Sequence, residues 1–171
     1  MRITLLAMIG ALATPASAMT LTSQDLTDGA PMPAVHIYPR CGGRNVSPQL
    51  GWAGPPKGTR SFVVTMIDHN APPNDWSHWI VVNLPPSTSA LAQGAAPPAG
   101  ARALKTDFGD AAYGGPCPPA GTGVHHYEIA VWAMATPTVA LGENASAKAV
   151  EATLKRTSID HASLTVTAQT R

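Results

Sequence analysis

Net charge, cysteine and long apolar runs are all scarce in this 171-residue sequence, and each shortage removes a class of function. Eleven Lys and Arg stand against ten Asp and Glu. A chain so close to neutral has no electrostatic footprint for nucleic acid or for an anionic membrane surface, so any recognition of phosphate must be local. No stretch is long and apolar enough to span a bilayer, which takes ~20 residues. Catalytic signatures are missing too. There is no Gly-x-Ser-x-Gly elbow, and the serines of "TRSF" and "DWSHW" sit in no nucleophile pattern. Asp68, His78 and His125, the trio best suited to hold zinc, lack the His-x-His or His-x-x-x-His spacing that makes a metal motif specific. No metal and no cofactor is expected.

The first residues are of a different kind. "MRITLLAMIGALATPASAM" has a basic start at Arg2, an apolar run from Ile3 to Ala13, a helix-breaking Pro15 and an Ala-Ser-Ala stretch at Ala16 to Ala18. That order predicts a secretory signal peptide over residues 1–18, cleaved after Ala18, and hence a periplasmic or secreted protein. Its removal takes Arg2 with it and brings the basic residues level with the acidic ones. Residues 19–171 then suit one domain with a proper core. The two cysteines, Cys41 and Cys117, are expected to bond in an oxidising compartment. Such a bridge closes a long loop and contributes at most about 4–5 kcal/mol on the chain-entropy account.

What is abundant is proline and glycine, 17 and 15 residues, which leaves helices little room. Apolar runs recur between these breakers and predict strands at Val35 to Tyr38, Ser61 to Asp68, His78 to Leu84 and His126 to Met134. The third run is apolar on both faces, which places it in the middle of the sheet system. One segment reads as a helix. From Ser146, "SAKAVEATLKR" sets Ala149, Val150, Thr153 and Leu154 at helical spacing, with Asn144 or Ser146 as N-cap, and a short strand "ASLTVTAQ" follows. The stretch Gly94 to Ala101 reads as a surface loop. The fold class is mainly β, a single-domain β-sandwich with one or two peripheral helices, one of them near the C-terminus.

Strand parity sorts the candidate functional residues. In "GGPCPPAGTGVHHYEIAVWAM" a stiff Gly-Pro loop ends on two histidines at the start of a strand. His125 and Tyr127 share one face, and His126 and Glu128 share the other. Asp68 ends a strand before a Pro-rich turn, and Trp76 and His78 open the next. Strand ends beside rigid loops are where side chains converge on a ligand.

Those same stretches resemble the phosphatidylethanolamine-binding protein family, in its bacterial Raf kinase inhibitor-like branch. The resemblance is carried by "GGRNVSPQLGW" at Gly42 to Trp52, "DHNAPPNDWSHWIVVNLP" at Asp68 to Pro85 and "TDFGDAAYGGPCPPAGTGVHHYEIAVWAM" at Thr106 to Met134, in family order. It implies a β-sandwich with a small anion pocket at its surface. The pocket residues it implies are Asp68, Trp76 and His78, the stiff loop with Gly115 and Pro118, and His125 with Tyr127. There is one departure. Where the family pattern reads Asp-Pro-Asp-Ala-Pro, this chain has Asp68-His69-Asn70-Ala71-Pro72, so a carboxylate becomes an amide and a Pro becomes a His. The lost charge makes the pocket less hostile to anions.

The reading that follows is an exported protein that binds a small anionic or phosphorylated group, such as a phospholipid head group, and acts by regulation or inhibition rather than catalysis. Its ligand is small, nucleic acid is excluded, a homodimer is compatible with the residues, and the protein target is not written in them. The alternative is a hydrolase in which His78 or His125 is the general base and Asp68 its orienter.

Overall fold

The computed structural model describes residues 18–170. The expected signal peptide lies, apart from Ala18, outside the described residues. Among the described residues, eight strands form two sheets. The smaller sheet joins β1 (Thr20–Thr22), β2 (Leu50–Ala53) and β5 (Ala90–Leu91) in the order β1-β2-β5. The larger contains β3 (Ser61–Asp68), β4 (Trp76–Leu84), β6 (Arg102–Ala103), β7 (His125–Met134) and β8 (Ser158–Ala168) in the order β6-β4-β3-β7-β8. Every strand pairing within the two sheets is antiparallel.

The larger sheet is covered on both faces, and its alternation shows how. Phe62, Val64 and Met66 of β3 join Trp79 and Val81 of β4 and Ile129 and Val131 of β7 in a core shared with Leu50 and Trp52 of the smaller sheet. The intervening Val63, Ile80, Val82, Ala130 and Trp132 turn the other way, onto Val150 and Leu154 of an α-helix, α1 (Ala147–Thr157). Strands buried on both sides read as continuous apolar runs, as these do. The helix begins where Ser146 caps it, its hydroxyl accepting from the Ala149 amide at 3.4 Å.

Two expectations change. The Val35–Tyr38 run is no strand: Ala34–His36 and Pro39–Cys41 are 3-10 turns. Pro33 and Pro39 lack the N–H groups a ladder needs, and the Tyr38 amide donates to the Pro116 carbonyl in the stiff loop instead. The second change concerns position in the sheet. β3 is the central strand, while β4 is covered on its outer side only by the two residues of β6.

Candidate functional site

The register of the three inner strands builds the site. Asp68, the last residue of β3, lies directly opposite Trp76 on β4 and Tyr127 on β7, so all three sit in one row across the sheet. A register shift in β4 adds a fourth. Met66 pairs with Trp79 and Ile67 with Ser77, which leaves His78 as an extra residue in its strand. A β-bulge of this kind re-aims side chains beside a site. It brings His78 onto the face of Trp79 and Tyr127, where its ring meets Tyr127 edge-on at 5.0 Å and Phe108 at 5.1 Å.

The floor is buried and polar. Asp68 Oδ2 accepts from His125 Nδ1 at 2.7 Å, and its Oδ1 accepts from the Asn70 amide at 2.8 Å. The other nitrogen of His125 lies 2.8 Å from the Thr122 hydroxyl, which donates to the Pro119 carbonyl at 2.7 Å and so ties the stiff loop to the floor. His78 Nδ1 donates to the Gly114 carbonyl at 2.6 Å, leaving Nε2 for a ligand. Burial outweighs that hydrogen bond and the nearby Asp68 charge, and holds the His78 pKa below its ordinary value. Tyr127 is fully buried, and its hydroxyl, though beside the Asp68 carboxylate, makes no hydrogen bond of good geometry to it. Burial first, then the Asp68 carboxylate, push the pKa of this phenol well up, so it stays an O–H donor.

Around the floor is a cavity of about 340 Å³ lined by Asp68, His78 and Tyr127 below, with Tyr38, Trp76 and Phe108 as an aromatic wall and Pro118 and Pro119 on the loop side. Tyr38 stacks on Phe108 with ring centroids 5.2 Å apart, and Trp76 meets Phe108 edge-on at 6.0 Å. Arg40 stands exposed at the rim. Among the described residues it has no carboxylate within ion-pair distance. The Cys41–Cys117 disulfide is formed, with Cα atoms 5.6 Å apart, and it fastens the Arg40 turn to the proline loop.

Of the residues expected in the pocket, Asp68, Trp76, His78, Pro118 and Tyr127 line it. His125 stands one layer back, holding Asp68 rather than facing the cavity. Gly115 is a packing residue. A Cβ there would land on the His36 carbonyl oxygen, and its amide donates to Asn45 Oδ1 at 2.7 Å. Parity holds on the outer face, where His126 is exposed. Asn70 turns to that face as well, its Oδ1 accepting from the His126 amide at 2.8 Å and lying 3.0 Å from the ring. The lost carboxylate at position 70 therefore changes the outer face rather than the pocket wall.

Sequence reasoning missed Tyr38, Arg40 and Phe108. The signal for two of them was present, since a residue beside Cys41 must lie near Cys117 once the bridge is made.

The model of the phosphatidylethanolamine-binding protein family matches residues 22–169. The chain belongs to that family. Its branch is the bacterial YbhB/YbcL type: it is 38% identical to Escherichia coli YbcL over 88% of this chain and 87% of that protein, and 41% identical to E. coli YbhB over 86% and 98%. The crystal structure of YbcL superposes with a TM-score of 0.84 at 35% identity, covering 91% of this chain and all of that one. A family homologue from Chlamydia trachomatis superposes with a TM-score of 0.74 at 31% identity, covering 90% and 99%. Family membership supports a small-molecule binding or regulatory role rather than a catalytic one.

Proposed function

We propose that the protein is an exported binding module whose pocket takes a small anionic group, in the first place the phosphoryl group of a phospholipid-like head group, and that it regulates or inhibits a partner without turning its ligand over. Export is supported by the order of residues 1–18 and by the disulfide, which belongs to oxidising compartments. One observation carries the binding reading: the Tyr127 hydroxyl is a buried donor that makes no hydrogen bond of good geometry, on the floor of a cavity whose rim holds Arg40, which has no carboxylate partner among the described residues. A buried polar group is nearly always paired, and a ligand oxygen pairs this one. Arg40 supplies the charge that a phosphoryl oxygen needs.

Calorimetric titration with phosphoethanolamine and with inorganic phosphate tests this. Tyr127→Phe should weaken both by about 1.5–3 kcal/mol, the usual worth of a hydrogen bond to a charged group. Arg40→Gln should weaken both and flatten the dependence on salt. Equal affinities for wild type and Tyr127→Phe would defeat the proposal, and hydrolysis of ester, phosphoester or peptide substrates that is lost in His78→Ala would replace it with the hydrolase reading. Native mass spectrometry of protein from its own compartment reads both a retained ligand and a homodimer.

A further inference from the structure

Behind the pocket, on the opposite face of the same strand ends, three side chains from three elements converge. His69 follows Asp68, Glu128 follows Tyr127, and Glu151 comes from the first turns of α1. Each offers one ligand atom, and the three atoms lie within 4.8 Å of one another. His69 Nε2 is 3.2 Å from Glu128 Oε2 and 3.9 Å from Glu151 Oε1. Ligands at the corners of a zinc tetrahedron, with metal–ligand bonds of about 2.0–2.2 Å, are separated by roughly 3.3–3.5 Å. The cluster therefore needs side-chain closure of no more than about 1.5 Å to reach that spacing.

Three further features distinguish it from a solvated patch of acids. An imidazole nitrogen faces both carboxylates, and imidazole with carboxylate suits zinc and its neighbours in the first transition row rather than calcium or magnesium. The other ring nitrogen, His69 Nδ1, is backed by Asp75 Oδ2 at 3.6 Å, the arrangement in which a carboxylate orients a metal-bound histidine. Glu151 is 8% exposed, so one of the carboxylates is held in place by the fold, and its one cationic neighbour, Lys155 at 3.2 Å, is an exposed side chain free to swing aside. His69 is the residue that stands where the family pattern reads Pro, a side chain with no ligand atom.

We propose that His69, Glu128 and Glu151 form a site for a divalent transition metal of the zinc class, with Asp75 as the orienting carboxylate and the fourth position open to solvent. Such an ion ties α1 to β7 and to the turn leaving Asp68. The site is independent of the anion pocket and stands or falls separately from it.

The test is titration of chelator-treated protein with zinc sulfate at pH 7.5, followed by calorimetry and by thermal unfolding. Both cysteines are in the disulfide, so thiols do not compete. One zinc per chain is expected, with a rise in melting temperature. Outer-shell substitutions typically cost 10–100-fold in metal affinity, so Asp75→Asn should fall by roughly that factor and His69→Ala by more. His69 is exposed, so its replacement leaves the fold intact, and Glu128→Gln provides a second variant with nearly the same shape. His126→Ala should bind as wild type does. Failure of the wild type to bind zinc, or undiminished binding in both His69→Ala and Glu128→Gln, overturns the proposal and leaves the cluster as ion pairs alone. Zinc-soaked crystals giving an anomalous peak away from His69 Nε2 overturn it equally.

Discussion

The two faces of one strand corner have been put to opposite uses. Asp68, His125 and Tyr127 point inward and are 3%, 1% and 0% exposed, while the residues that directly follow them turn to the opposite face, where His69 and His126 are exposed and Glu128 is half-buried. Both faces hold a histidine against a carboxylate. Inside, the Asp68–His125 pair is almost wholly shut off from water that could replace a lost partner. Outside, the His69–Glu128 pair at 3.2 Å has water on every open side. The chemistry is the same and the surroundings differ, so the energetic consequences should differ by several fold.

The largest effect expected is on stability. Asp68→Ala strands a buried imidazole and frees the Asn70 amide, and should destabilise by about 3–5 kcal/mol, as breaking a buried pair does. Glu128→Ala removes an outer partner and should cost no more than about 1 kcal/mol. Urea unfolding of both variants, in the presence of a chelator, gives the comparison directly. Losses of similar size would mean that the floor is wetter than its burial implies.

Next comes the disulfide, which fixes the rim of the inner site and touches nothing on the outer face. Reduction, or Cys41→Ala with Cys117→Ala, should lower stability by about 2–4 kcal/mol. It should also weaken phosphate binding, because Arg40 and Pro118 are then free to separate. In the double alanine variant, which has no thiol to compete, zinc binding by the outer cluster should be unaffected. Free thiols detected in denatured, non-reduced protein would show that the bridge does not form.

Much of this corner was legible in the sequence, and the legible part is that which follows from period alone. Ser61–Asp68 has the bounds read from its apolar run, and the alternation of "VHHYE" placed His125 and Tyr127 inside and His126 and Glu128 outside. Ser146 proved to be the helix cap, one of the two candidates. Features that depend on partners distant in the chain were not legible. The bulge at His78 exists because two strands pair out of step. The Val35–Tyr38 run has strand-like residues, but its backbone is taken by Pro116, Asn45 and Gly43. Gly115 reads in the sequence as a pocket-loop residue and in the structure is a place where two backbones meet, which only the close approach to His36 explains.

The two histidines of "VHHY" should differ in what their loss does. His125 does not face the cavity. Its loss acts by leaving Asp68 unpaired beneath the ligand and Thr122 untied from the loop, and should weaken anion binding by about 1.5–3 kcal/mol. His126→Ala should stay within about ±0.5 kcal/mol, as surface changes do. Equal losses, or a larger loss for His126→Ala, would mean that parity does not decide which histidine serves the pocket.

The smallest effect expected is on pH dependence, and it has two signs. His78 is buried with its pKa held below the ordinary 6.5, and Nδ1 already donates to Gly114, so near neutrality Nε2 carries no proton. As pH falls below about 6.5 the unfolded chain takes up a proton that the folded site refuses, so free-protein stability should decline between 6.5 and the lowered pKa. An anion reverses the preference. With sulfate, whose charge is constant in this range, Nε2 gains a reason to be protonated, so affinity should rise as pH falls, by less than about tenfold per pH unit for a single linked proton. The outer His69 runs the other way in chelator. Its pKa is raised, chiefly by the Glu128 hydrogen bond, so its contribution is full below 6.5 and is lost as pH rises through the raised value. Sulfate titrations at pH 8 and pH 5.5 on wild type, His78→Gln and His69→Ala read the affinity effect, and urea unfolding of the same proteins in chelator at both pH values reads the stability effects. The slope should vanish in His78→Gln and survive in His69→Ala; a slope that survives in His78→Gln would mean that the proton is taken up elsewhere and that His78 is only part of the wall.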